Sequence, residues 1–205
     1  MRSHTGIAKP IFEVRASVLR AASSVLLFVG LAAIGYAAYA LAYAYAFQEM
    51  SNRNFEAAPA RMAPRVPEPP PEGSLIGRLE ISRLGLRVIV LQGDSAQVLR
   101  RAVGHLPDTN LPGEAGNVAL AGHRDTFFRP LRGVRPGDVI TLETPSTAFQ
   151  YQVVWTRTVP PTDVQVLRST EARELTLVTC FPFDYVGSAP NRFVVRAREI
   201  GEASR

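Results

Sequence analysis

The chain has 205 residues, a formal net charge of +5, one cysteine and three histidines. One cysteine excludes an intramolecular disulfide and a cysteine-rich zinc site, and His4, His105 and His123 leave little scope for a histidine-based metal centre. The charge is concentrated at the start, where Arg2, Lys9, Arg15 and Arg20 stand against Glu13, so the remainder is close to neutral and gives no argument for nucleic acid.

Residues 1–20 read as a basic tail. From Ala21 to Phe47 there is no charged side chain, and about 20 apolar residues suffice to cross a bilayer as a helix. Basic residues precede this run, which places the amino terminus in the cytoplasm and the rest of the chain outside it; Tyr43, Tyr45 and Phe47 suit the outer interface. Ala40-Leu41-Ala42 and Ala44-Tyr45-Ala46 resemble signal-peptide cleavage sites. The run nevertheless exceeds the roughly 7–15 residues of a signal peptide's apolar region, so the expectation is an uncleaved single-pass membrane anchor over 21–47. Residues 48–73 read as a linker, because Pro59, Pro64, Pro67, Pro69, Pro70 and Pro71 favour extended backbone over a packed fold.

From residue 74 the pattern becomes short strands separated by turn signals. Strands are expected at 76–81, 86–91, 117–121, 139–143, 149–159, 174–180 and 192–198. Residues 95–103 read as helical, with Ser95 as N-cap and Val98, Leu99 and Ala102 on one face. Residues 127–131 and 164–167 suit single helical turns, and Arg135-Pro136-Gly137-Asp138 suits a reverse turn. Seven or eight strands with few helices imply a mainly β domain over 74–198, either a sandwich or a closed barrel. Residues 199–205 read as a carboxy-terminal tail.

Within this domain Glu174-Leu175-Thr176-Leu177-Val178-Thr179-Cys180 alternates as a strand does and ends on the only cysteine. A lone cysteine is commonly a small buried hydrophobe. Three features favour a nucleophile instead. Cys180 ends its strand; His123 follows an apolar strand directly after Gly122; Arg192 begins the last strand after the loop Gly187-Ser188-Ala189-Pro190. A thiol attacks as thiolate, imidazole can take and return a proton near neutral pH, and a guanidinium can stabilise the oxyanion of acyl transfer. His105 reads as a loop residue satisfying backbone groups, Arg196 and Arg198 as solvated charges, Asp125 as a turn cap or a partner of His123, and Trp155 as core.

Leu175-Thr176-Leu177-Val178-Thr179-Cys180 resembles the TLxTC strand of sortases. Ala121-Gly122-His123 resembles their AGH segment, and Asn191-Arg192-Phe193-Val194-Val195 their arginine strand, in the same order and at similar spacing. The likeness covers residues 75–198. It is greatest to class D, because the anchor is amino-terminal and no Asp-Pro-aromatic lid segment precedes the domain. The resemblance implies an eight-stranded sortase-type β-barrel with short helices, preceded by one transmembrane helix. It implies a membrane-anchored cysteine transpeptidase whose domain lies outside the cell membrane. Cys180 would attack a carboxy-terminal sorting motif of a secreted protein, typically Leu-Pro-x-Thr-like. His123 would protonate the departing amine, and Arg192 would stabilise the oxyanion. An amine from a cell-wall precursor or another protein would resolve the thioester. Ala121, Val178 and Thr179 would line or shape the peptide groove. No metal and no organic cofactor is required by this chemistry. The alternative is a membrane-anchored β-domain that binds envelope peptides or a partner protein without turnover. A cysteine L,D-transpeptidase would need a His-Gly-Cys-like pattern near the nucleophile, which this sequence lacks.

Overall fold

The computed structural model describes residues 11–57 and 70–203. The chain divides into two compact units, residues 1–43 and 44–205. The described residues of the first, 11–43, are helical. Helix α1 runs Ile11–Ala57 without an internal proline, and Pro59 lies two residues past its end, where a proline disfavours continuation. Large apolar side chains on α1, such as Leu26, Phe28, Leu31 and Ile34, are exposed, and the helix is long and apolar enough to cross a bilayer. That suggests membrane anchoring.

The second unit is a closed barrel of eight strands: β1 (Leu75–Ile81), β2 (Leu86–Gln92), β3 (Val103–His105), β4 (Asn117–Ala121), β5 (Val139–Glu143), β6 (Ala148–Val159), β7 (Glu174–Phe181) and β8 (Asn191–Ala203). Their order around the barrel is β1-β2-β3-β4-β7-β8-β6-β5, and pairing of β1 with β5 closes it. The closure decides between barrel and sandwich, since a sandwich keeps open sheet edges. The β2–β3 and β4–β7 pairs are parallel, and the others antiparallel. Inward side chains, among them Leu79, Leu120, Ile140, Leu142, Leu175 and Leu177, are fully buried and form one core.

Turn chemistry sets the corners. Gly85 sits at φ 62°, in the left-handed region that a side chain disfavours, and ends the 3-10 turn between β1 and β2. Ser95 caps α2 (Ala96–Leu99), accepting from the backbone N–H of Val98 at 3.3 Å. This helix is shorter than the expected 95–103, because Val103 already begins β3 and pairs with Val90. Two further expectations change. β8 does not stop at residue 198 but continues to Ala203, where Glu202 and Ala203 pair with Phe149 and Ala148 at the start of β6. The linker expected over 48–73 is helical over its first ten residues, 48–57, as the end of α1. Residues 58–69, most of the remaining linker, lie outside the described residues.

Within the second unit, residues 44–57 pack on the barrel. Phe47 lies against the cluster of Ile89, Leu91, Val98 and Ala102. The Gln48 side-chain amide accepts from Ile89 N–H at 2.8 Å and donates to the Arg101 carbonyl at 2.7 Å. Phe55 is fully buried, and the Arg78 guanidinium lies 5.0 Å from its ring centre.

Candidate active site

Strand register brings the sequence-predicted residues together. Cys180 pairs with Arg192 across the antiparallel β7–β8 ladder, and Val178 pairs with Val194, so these four side chains share the outer face of the barrel. In the parallel β4–β7 ladder Ala121 pairs with Val178 on the same face. His123 follows two residues beyond the end of β4. Its turn is fixed from three sides: Gly122 N–H donates to the Val178 carbonyl at 3.2 Å, the Thr179 hydroxyl donates to the Gly122 carbonyl at 2.7 Å, and Phe128 N–H donates to the His123 carbonyl at 2.9 Å. Residue 122 must be glycine in this geometry, because a Cβ there would stand 2.9 Å from the buried ring of Phe128.

His123, Cys180 and Arg192 line one cavity of about 320 Å³, together with Arg124, Asp125 and the 187–189 loop. His123 and Asp125 are exposed, and Cys180 and Arg192 are half-buried. The Arg192 guanidinium donates to the carbonyls of Asn191 at 3.1 Å and Ala189 at 3.4 Å, which holds it beside the loop. Arg124 donates to the carbonyls of Tyr185 at 2.6 Å and Gly187 at 3.0 Å, so it ties the β7–β8 connection to the histidine turn. Phe181, Phe183 and Phe193 form an aromatic cluster beneath that connection. A thiol, an imidazole and a guanidinium around one solvent-open cavity are the set that acyl transfer through a thioester requires.

A second, more apolar cavity of about 190 Å³ adjoins the first, sharing Arg192. Its floor is Ala121, Val178 and Val194, and one wall is Pro160, Pro161, Val164, Val166 and Leu167. Thr179, in contrast, is buried and points away from both cavities toward the Gly122 carbonyl. Among the described residues no group of three histidine, cysteine or acidic side chains could hold a metal ion.

A sequence model of the Sortase domain matches residues 79–200. The chain belongs to the sortase family. It is 36% identical over 132 residues to Sortase D of Bacillus subtilis, a match covering 64% of this chain and 67% of that protein. The solved Clostridium perfringens Sortase D5 transpeptidase superposes with a TM-score of 0.59 at 30% identity, covering 64% of this chain and 82% of that one. The SrtA sortase from Actinomyces oris gives 0.61 at 30% identity, covering 69% and 88%. The likeness to class D inferred from the motifs thus agrees with the first two of these relatives. Sortases are cysteine transpeptidases, and the barrel here is the sortase fold.

Three residues of this sortase differ from their sequence reading. Arg196 is not a solvated charge. It is 6% exposed, donates to Glu174 at 2.8 Å and to the Val166 carbonyl at 2.6 Å, and lies 5.7 Å from the ring of Trp155. Trp155 itself is half-buried on the outer surface between Arg157 and Arg196, outside the barrel core. His105 lies on β3, not in a loop. It is 1% exposed, with Nδ1 2.8 Å from the Gln92 side chain and Nε2 2.9 Å from the Asn110 carbonyl. Burial holds the His105 imidazole below its ordinary pKa, against the opposing pull of the Asn110 carbonyl. Arg198 is exposed, as read from its position. The signal that could have found Arg196 is its spacing: it is two steps of two from Arg192 and so shares the face of the site.

Proposed function

We infer that this sortase is a membrane-anchored transpeptidase acting on secreted proteins with a carboxy-terminal sorting motif, through Cys180, His123 and Arg192. The observation that carries the reading is the shared cavity of these three side chains, with Cys180 and Arg192 opposed in one ladder. The Cys180 Sγ attacks the scissile carbonyl, forming the S–C bond, while Arg192 donates to the oxygen that gains charge. The C–N bond then breaks, and His123 gives its proton to the leaving amine. In the second half, His123 takes a proton from an incoming amine, that amine attacks the thioester, and the S–C bond breaks to restore Cys180. The acceptor is an amine of a cell-wall precursor or a protein; water would give hydrolysis.

The adjoining apolar cavity, floored by Ala121 and Val178, suits the leucine and proline side chains of a Leu-Pro-x-Thr-like motif. Thr179 acts from beneath by fixing the Gly122 carbonyl. The basic residues before the apolar run of α1 favour a cytoplasmic amino terminus and an extracytoplasmic barrel.

The test is incubation of the protein with a Leu-Pro-x-Thr peptide pool randomised at x, with and without an amine acceptor. The expected result is a thioester adduct on Cys180 seen by mass spectrometry, released as an amide when the amine is added, and absent in Cys180→Ala. Turnover by Cys180→Ala, or peptide binding without any adduct, would replace this reading with the non-catalytic peptide-binding domain.

A further inference from the structure

The wall of the apolar groove has little to hold it in place by itself. It is a 3-10 turn, Val164–Leu167, in the connection between β6 and β7, and its own side-chain support is Asp163 accepting from Gln165 N–H at 3.2 Å. Runs this short do not persist alone in water. The last carbonyls of such a turn also lack partners within it. Two buried side chains rising from the barrel supply them. Arg196 of β8 donates to the Val166 carbonyl at 2.6 Å, and Asn117 of β4 donates to the Leu167 carbonyl at 3.0 Å.

Each of these donors is itself fixed. Arg196 is held by Glu174, which also accepts from the Thr170 hydroxyl at 2.8 Å. The Asn117 carbonyl oxygen accepts from the Thr176 hydroxyl at 2.7 Å, which orients its amide so that the NH₂ faces Leu167. Asn117 and Thr176 are both fully buried. Register places Thr176 opposite Arg196 and Glu174 opposite Asn117, so the four stand as one cluster on the outer face of β4, β7 and β8. The same face carries Val178 and Val194 of the groove floor and then Cys180 and Arg192.

We propose that Arg196 and Asn117 are positioning residues for substrate: they clamp the 164–167 turn at a fixed height over the Val178–Val194 floor and so preform the groove that takes the sorting motif. The claim rests on the reading that this groove binds the peptide. A preformed wall spares the substrate the entropy of ordering the turn, so the clamp acts on binding and leaves the acyl-transfer chemistry alone. The bidentate fork of Arg196 spans Glu174 and the Val166 carbonyl together. A lysine ammonium keeps the pairing with Glu174 but lacks that fork.

The experiment compares the wild-type chain with Arg196→Lys and with Asn117→Ala. Three quantities are read: KM and kcat for Leu-Pro-x-Thr peptides, peptide affinity in a Cys180→Ala background, and hydrogen exchange of the 164–168 amides. Both variants should exchange at least tenfold faster over 164–168 while strand amides of β1 and β5 stay protected. KM and Kd should rise about five- to tenfold with kcat within twofold. Should Asn117→Ala fail to fold, Arg196→Lys, which keeps its buried charge paired, carries the test. Faster exchange with unchanged KM and Kd overturns the proposal, as does unchanged exchange, or a fall in kcat at constant KM. A wild-type protein that binds peptide tightly but forms no thioester would sink the catalytic reading and leave the clamp standing. Full turnover by Arg196→Lys at wild-type KM would do the reverse.

Discussion

Cys180 and Arg192 face each other across the β7–β8 ladder, at the end of the barrel where both strands run into the 182–190 connection. Directly opposed residues in an antiparallel pair carry side chains on one face about 5 Å apart at Cβ. Strand register therefore fixes where the Arg192 side chain leaves the backbone, and the Asn191 and Ala189 carbonyls aim its guanidinium. A charge alone would not fulfil the proposed role of Arg192, because a developing oxyanion needs aimed donors. Arg192→Lys, which retains the charge and loses the fork, should lower kcat/KM for a fluorogenic Leu-Pro-x-Thr peptide by about 10²–10³-fold, the range for one lost oxyanion donor. The unfolding midpoint should move little, since Arg192 is half-buried and has no acidic partner at hydrogen-bond distance among the described residues. Wild-type turnover in this variant would remove Arg192 from the mechanism.

The Thr179 hydroxyl reaches the Gly122 carbonyl across β7 and β4 and so links the cysteine strand to the histidine turn. Thr179→Val keeps the shape and leaves the half-buried Gly122 carbonyl without this donor, at a cost of about 1 kcal/mol, the low end for an unsatisfied group. The expected kinetic signature is a fall in kcat with KM nearly constant, because the change displaces His123 relative to Cys180 and does not touch the groove. Thr179→Ser, which restores the donor, should recover most of the rate. A valine variant with normal kcat, measured beside the serine variant, would show that the bond is structural only.

The convergence of Cys180, His123 and Arg192 on one cavity was legible because each sits at the end of a strand with a turn signal beside it, and strand ends at one rim of a sheet can converge. The clamp was not. Arg196 lies in a period-two strand with its side chain outward, which reads as solvated; it is buried because residues 160–173 fold over it from a different part of the chain. Barrel closure depends on β1 meeting β5, a pairing of residues 78–80 with 141–143 that no local pattern announces. β3 is three residues long, one of them glycine, and offers too little alternation to register as a strand. The last turns of α1 read as linker only by extension from the proline-rich stretch, whose first proline is Pro59, two residues past the end of the helix.

His105 gives the fold a pH dependence of its own. Its ring is buried and held below the ordinary histidine pKa, so the folded protein binds this proton less readily than the unfolded chain. Stability from this group is complete above the unfolded value of about 6.5 and is lost as pH falls from there through the lower folded pKa. The neutral ring donates from Nε2 to the Asn110 carbonyl and accepts at Nδ1 from Gln92 once that side-chain amide presents its NH₂. The wild-type melting temperature should therefore drop between pH 7.5 and pH 5. His105→Gln should be less stable at pH 7.5 and show a shallower drop. Equal slopes for the two proteins would assign the acid sensitivity between pH 7.5 and pH 5 to other groups; Asp138, whose carboxyl the Arg83 guanidinium holds below its usual range, contributes only at lower pH.

Residues 44–57 are the part of the second unit that a truncation at the start of the sortase barrel would discard. Their removal would uncover Ile89, Leu91, Val98 and Ala102, against which Phe47 packs, and would take the Gln48 amide from Ile89 N–H and the Arg101 carbonyl. It would also remove Phe55, which is fully buried beside the guanidinium of Arg78, and Glu56, which pairs with Arg78 and Arg87. The Arg87–Glu56 pair is exposed and contributes little on its own, and the buried Arg78 keeps its pairing with Glu143. The apolar burial matters more: Phe55→Ala should destabilise residues 44–205 by about 3 kcal/mol, the low end for a buried phenylalanine because one side of the helix faces water. Gln48→Leu, which fills the same space without the two hydrogen bonds, should cost about 1–2 kcal/mol. Urea unfolding of residues 44–205, these two variants and residues 70–205 checks the ordering, with the shortest protein expected to unfold at the lowest urea concentration. Coincident midpoints for 44–205 and 70–205 would mean that the helical segment rests on the barrel without stabilising it.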